Sequence, residues 1–135
     1  MRSTLGTTAV DEQRPTGRGA LLVIGAGPGV GLAAAKRFAR EGHPVGLVGR
    51  NAERRQRLSN EITQEGVPRA IGIADVTDAE AFTEAITSIT DRIGPPEVLL
   101  FSPRPDVGWI RPVLDTSAAD FSAALGSASW RRLRR

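Results

Sequence analysis

From Ala20 onward the chain alternates short apolar runs with longer segments whose apolar positions recur at helical spacing. The run from Ala20 to Ile24 predicts a first strand, and Val30 to Glu41, stopped by Gly42, predicts a first helix. "HPVGLVG" supplies a second strand around Val45 to Val48. A second helix follows from about Ala52 to Glu65, with Leu58 and Ile62 one turn apart and Gly66 as its stop. "RAIGIAD" is the third strand. Asp78 then caps a third helix in which Phe82, Ala85, Ile86, Ile89 and Ile93 form the clearest apolar stripe in the chain. "EVLLFS" is the fourth strand, apolar on consecutive residues from Val98 to Phe101, as expected for a strand covered on both faces. After a Pro-rich stretch, a shorter helix is expected from near Asp115, able to cover part of one face.

This β-α-β-α rhythm, with no internal repeat or low-complexity tract, predicts an α/β fold. Right-handed crossovers put the first strand in the middle, so the expected architecture is a partial Rossmann-like, doubly wound parallel sheet of about four strands in the order 3-2-1-4. A length of 135 residues suits one domain with one working surface. Residues 1–18 are polar, with scattered Gly, Pro and Thr and no secretory apolar core, and are expected to be a flexible N-terminal arm of a cytoplasmic protein. Residues 19–125 form the folded half-domain and 126–135 a basic tail. No apolar run approaches the roughly 20 residues needed to cross a bilayer, so no membrane partner is expected.

Composition narrows the chemistry. There is no cysteine, which excludes disulfides, thiol catalysis and Cys-based zinc sites, and no metal site is expected. The formal net charge is +3, carried almost entirely by arginine, since Lys36 is the single lysine. Two arginine clusters invite a nucleic-acid reading: Arg54, Arg55 and Arg57 on the second helix, and "WRRLRR" at the C-terminus. Acidic residues are interspersed and no aromatic stacking platform accompanies them, so a solvated helix face and a charged tail are the expected readings. Tyrosine is absent altogether.

The stretch "LLVIGAGPGVGLAAAKRFAREG" places Gly25, Gly27, Gly29 and Gly31 within seven residues, between a strand and a helix. At the carboxyl end of a strand the chain must turn sharply and admit a phosphate. Gly25 would permit the turn, Gly29 the approach of a pyrophosphate, and Gly31 close packing of the helix on the sheet. The helix N-terminus near Val30 would offer unpaired N–H groups and a positive dipole end to that anion. A tight turn without a ligand is the bland alternative, but the flanking strand and helix favour dinucleotide binding. A nucleoside-triphosphate loop is excluded because no Gly-Lys-Ser/Thr follows, Lys36 coming after three alanines.

The spacing G-x-x-x-G-x-G, Gly25, Gly29 and Gly31, resembles the short-chain dehydrogenase/reductase family. Within that resemblance, "VGRN" ends the second strand, and Arg50, 19 residues after Gly31 and followed by Asn51, falls where NADP-preferring members carry a positive charge. The alternative is a solvated residue at a strand end. Asp75 and Val76 in "ADVTD" resemble the adenine-contacting pair, with a turn residue as the alternative for Asp75. Where the family usually shows Asn-Asn-Ala-Gly after the fourth strand, this chain has Phe101, Ser102, Pro103 and Arg104, which leaves Ser102 as a candidate contact. The implied cofactor-binding set is therefore Gly25, Gly29, Val30, Gly31, Arg50, Asn51, Asp75, Val76 and Ser102, and the implied cofactor is NADP.

The resemblance runs from about Ala20 to Leu125. Ala128 falls near the position of the family's catalytic Asn, and the catalytic Ser and the Tyr-x-x-x-Lys pair have no counterpart. The family's chemistry uses a Tyr hydroxyl whose pKa a neighbouring Lys lowers, and this chain has no tyrosine, while Lys36 lies on the wrong helix. His43, the only histidine, sits in the turn before the second strand, at the end of the sheet opposite the ligand edge. The resemblance thus implies a truncated protein with an inherited NADP-dependent carbonyl/alcohol oxidoreduction and no catalysis of its own, and a shifted reading frame or early stop as the origin of the tail. A non-catalytic nucleotide-sensing interaction module is the second reading and a nucleic-acid binder using the tail the third. An exposed fourth-strand edge is expected to promote self-association.

Overall fold

The computed structural model describes residues 17–62, 65–103 and 111–128. Residues 1–16, 63–64, 104–110 and 129–135, which hold most of the expected N-terminal arm, Arg104 and "WRRLRR", lie outside the described residues. The element order is β1 (Ala20–Ile24), α1 (Val30–Arg40), β2 (Val45–Gly49), α2 (Ala52–Ile62), β3 (Arg69–Ile73), α3 (Ala79–Ile93), β4 (Pro96–Phe101), a 3-10 turn (Val113–Asp115) and α4 (Ala118–Ala128).

The four strands form one parallel sheet in the order β3-β2-β1-β4, as the alternation of elements predicts. Leu21 pairs with Val45 and Val98, and Val45 pairs with Arg69, so the four strands start close to one level and end close to one level. Every residue of β1 and β2 is buried, because helices cover both faces of these two central strands.

Alternation along the strands sorts the core into two layers. Leu21, Val23, Val45 and Leu47 pack against Leu32, Ala35 and Ala39 of α1 and Leu58 and Ile62 of α2. Leu22, Ile24, Val48 and Ala70 pack against Phe82, Ala85 and Ile89 of α3. Each fully buried Leu or Ile contributes about 1.5–3 kcal/mol of transfer free energy, so these layers dominate the stability of the sheet. Two cross-helix ion pairs, Lys36 Nζ to Glu61 Oε2 at 3.0 Å and Arg40 Nε to Glu65 Oε1 at 3.1 Å, join α1 to α2 and its following turn. Being exposed, they stabilise by about 0–1 kcal/mol each.

The helix ends follow local chemistry. Asp78 accepts from the Ala81 N–H and caps α3, as expected, and Gly94 at φ +88° closes its other end. α1 ends at Arg40, with Glu41 as its C-cap and Gly42 at φ +86° beyond it.

Two expectations for the C-terminal third are corrected. The last helix starts at Ala118 rather than near Asp115. Ser117 and Asp120 form a reciprocal capping box, in which the Asp120 N–H donates to Ser117 Oγ at 3.1 Å and the Ser117 N–H to Asp120 Oδ2 at 3.0 Å, which sets the start of α4. β4, patterned for cover on both faces, is an edge strand left bare on one of them, as its expected outer position implies, and the last helix does not cover part of that face as expected. Val98 and Leu100 pack against the α1/α2 layer, but Leu99 is 53% exposed, because α3 lies over β3 and β2 and does not reach it. No side chain from Ala118 to Ala124 is buried, and Phe121 is 61% exposed, so these described residues of α4 do not supply the missing cover.

Candidate functional site

A parallel sheet brings the loops after all its strands to one edge, and here backbone bonds tie those loops together. The Gly25 N–H donates to the Val48 carbonyl at 2.8 Å, the Ala74 N–H to Gly49 at 3.1 Å and the Ser102 N–H to Ile24 at 2.8 Å. The segments Gly25–Gly31, Arg50–Asn51, Asp75–Val76 and Ser102–Pro103 therefore lie side by side at the carboxyl edge. The strand order reverses direction at β1, and in open α/β sheets ligands bind at such a switch point.

The glycine-rich turn has a tight side and an open side. Gly25 has φ +77°, which L side chains rarely adopt, and a Cβ there would fall 2.6 Å from the Pro103 nitrogen. At Gly31, a Cβ would meet Ala26 Cα at 3.1 Å and Val23 Cγ1 at 3.4 Å, so its absence lets α1 start close against β1. At Gly27 and Gly29 a Cβ would meet nothing within 4 Å. That side of the turn is open space, and Val30 beside it is 73% exposed.

The three sheet-packed helices differ at their N-termini. Asn51 Oδ1 accepts the Arg54 N–H at 2.8 Å and Glu53 follows in the first turn of α2; Asp78 caps α3, with Glu80 behind it. α1 has Gly29 at its N-cap, no side-chain cap and no acidic residue in its first turn. Its dipole is thus left uncompensated at the open face of the glycine turn, an arrangement suited to a bound phosphate.

Arg50 is exposed at the end of β2, and its charge acts on Asp75 across the edge. The Asp75 carboxyl is held below its ordinary pKa, first by the Thr77 backbone N–H at 2.8 Å, then by the Thr77 hydroxyl at 2.7 Å, with a smaller contribution from Arg50. One oxygen of Asp75 is thus engaged in an Asx turn, the second of the two roles open to it from sequence. Val76 packs against the α3-side core layer and Ser102 is half-buried beside Gly25. The structure brings all nine candidates, Gly25, Gly29, Val30, Gly31, Arg50, Asn51, Asp75, Val76 and Ser102, to the one edge, with the side-chain oxygen of Asn51 engaged as a helix cap.

His43 stands at the opposite edge, where Nδ1 donates to the Gly19 carbonyl at 2.8 Å and the ring meets Phe38 edge-on. Lys36 is engaged with Glu61.

One residue departs from its expected place. Arg55, grouped with Arg54 and Arg57 on a solvated face, is 4% exposed, and its Nη1 donates to the Ala26 carbonyl inside the glycine turn. The reason is helical phase. Arg55 precedes Leu58, Ser59 and Ile62 by three, four and seven residues, and these four are the buried face of α2. That spacing was visible in the sequence, but the charge of the residue outweighed it.

Uncapped helix end, open glycine face and converging loops meet at the carboxyl edge of a Rossmann-like sheet. The chain belongs to the short chain dehydrogenase family, which it matches over residues 20–104. Among curated relatives it is 38% identical over 79 residues to gluconate 5-dehydrogenase of Gluconobacter oxydans, an alignment covering 58% of this chain and 31% of that protein. It is 40% identical over 74 residues to serine 3-dehydrogenase of Agrobacterium fabrum, covering 54% of this chain and 28% of that protein. The chain therefore matches about three tenths of the length of these relatives. Among solved structures, NAD+-bound xylitol dehydrogenase superposes with a TM-score of 0.69 at 30% identity, covering 82% of this chain and 42% of that one. Actinorhodin polyketide ketoreductase with NADPH superposes with a TM-score of 0.68 at 23% identity, covering 82% of this chain and 41% of that one, and supports the fold.

Proposed function

We propose that this chain binds NADP in preference to NAD and serves as the cofactor-binding part of an oxidoreduction between a carbonyl and an alcohol. Nicotinamide cofactors are common to the family, and the similar structures include one with NAD+ and one with NADPH, so the preference turns on this chain's own residues. The observation that carries it is Arg50, exposed at the end of β2 with the acidic Asp75 already engaged by Thr77. A guanidinium there favours a 2′-phosphate by a charge-assisted hydrogen bond and offers nothing comparable to a 2′-hydroxyl. The open face at Gly27 and Gly29 and the uncapped α1 fit the pyrophosphate.

When bound, the cofactor supplies hydride exchange, while these residues hold and orient it. With no tyrosine among the 135 residues, the family's proton donor is not supplied by this chain. Calorimetric titration tests the preference. The wild-type chain should bind NADP more tightly than NAD by about ten- to a hundredfold, and Arg50→Asp should abolish the difference. Equal affinities in the wild type would overturn it. NADPH incubated with the chain and a panel of ketones and aldehydes should remain unoxidised, and turnover would show that a proton donor exists elsewhere in these residues.

A further inference from the structure

An arginine is buried at a cost unless its charge and its donors are answered. At Arg55 they are answered only in part. The guanidinium lies between the glycine turn, where Nη1 donates to the Ala26 carbonyl, and the end of β2, where a Cβ on Gly49 would stand 2.9 Å from Nη1. Its Nε is buried without a hydrogen-bond partner. The ion pairs among the described residues engage Lys36, Arg37, Arg40, Arg57 and Arg111, and none of them involves Arg55. Burial lowers its pKa from the ordinary arginine value, and the like charge of Arg54 lowers it further. A cation in this state lacks a counter-ion within the described protein.

Its position says where the counter-ion belongs. The pyrophosphate would face Gly29 and the start of α1, whereas Arg55 lies under Gly49, the residue that precedes Arg50 in the chain. We propose that Arg55 is a second specificity-determining cation for the nucleotide's 2′-phosphate, acting from beneath the site while Arg50 contacts the phosphate from the solvent side. This rests on the nucleotide binding proposed above. At 4% exposure Arg55 acts through its field, in a region where water screens little.

NADP and NAD differ only in the 2′-phosphate, so their affinity ratio isolates the effect. Calorimetric titration of both cofactors into the wild type, Arg55→Met and Arg55→Lys, with thermal unfolding of each chain free of nucleotide, tests the proposal. Arg55→Met should lower NADP affinity about tenfold with little change for NAD, Arg55→Lys should keep most of the preference, and the Met variant should unfold at a temperature no lower than the wild type. An unchanged ratio in Arg55→Met would overturn the proposal alone. So would equal losses for both cofactors, or a Met variant that does not fold, since either outcome would make the guanidinium a structural support of the turn. A wild type that binds neither cofactor would overturn the nucleotide reading beneath it as well.

Discussion

Gly25 and Pro103 lie backbone to backbone at the carboxyl edge, close enough that a Cβ on Gly25 would stand 2.6 Å from the Pro103 nitrogen and 2.7 Å from the Ser102 carbonyl oxygen. The loops after β1 and β4 are thereby pressed together where the strand order reverses. Gly25 also holds φ +77°. Gly25→Ala incurs both the left-handed backbone cost, about 1–2 kcal/mol, and the clash with Pro103. Urea unfolding should show a loss of at least about 2 kcal/mol.

Gly29 is the opposite case. A methyl group there meets no protein atom within 4 Å, so Gly29→Ala should lose no more than the modest cost of replacing a glycine N-cap by alanine, about 1 kcal/mol at most. The same methyl would occupy space at the uncapped end of α1, and NADP affinity should fall at least about tenfold. A stability loss well beyond that N-cap cost would show that the open face belongs to the fold rather than to a ligand.

The Asp75 carboxyl offers a pH test. Its pKa is lowered in the folded chain, chiefly by the Thr77 N–H and hydroxyl, so the unfolded state takes up the proton first as pH falls. The stabilisation is therefore fully present above the ordinary carboxylate value and is lost as pH falls through the lower native value. Asp75→Asn should unfold at a lower temperature than the wild type at pH 7. Thermal melts at successively lower pH should show that difference shrinking below the ordinary carboxylate value and vanishing once pH passes below the native one.

β4 forms the outer strand beside β1, and Leu99 on it is 53% exposed. An apolar side chain on an edge strand favours pairing with another copy. Sedimentation velocity across a range of concentrations should show self-association of the chain. Leu99→Lys should shift it toward monomer, because a charge on an edge strand opposes pairing. A concentration-independent monomer in the wild type would remove the edge as an association surface.

Much of the fold is legible from spacing because its causes are local. Apolar runs bounded by Gly42, Gly66 and Gly94 mark where strands and helices stop, Asp78 announces the start of α3, and the handedness of crossovers orders the strands. The candidate site was legible for a related reason. In a parallel sheet the residues after each strand must meet at one edge, so Gly25, Arg50, Asp75 and Ser102 could be grouped before any distance was known.

Other features depend on which surfaces meet. Arg55 and Arg54 are chemically alike in sequence, and only the phase of α2 against the sheet puts one guanidinium under Gly49 and Ala26 and leaves the other exposed. Leu99 and Val98 are equally apolar, yet burial depends on the reach of helices that pack elsewhere: α1 and α2 cover the face of Val98, while α3 stops short of Leu99. Local pattern therefore determined the strands, the helices and the edge where the loops gather. Which charge is buried and which apolar residue is left bare was decided by the tertiary structure, because desolvation depends on neighbours distant in the chain.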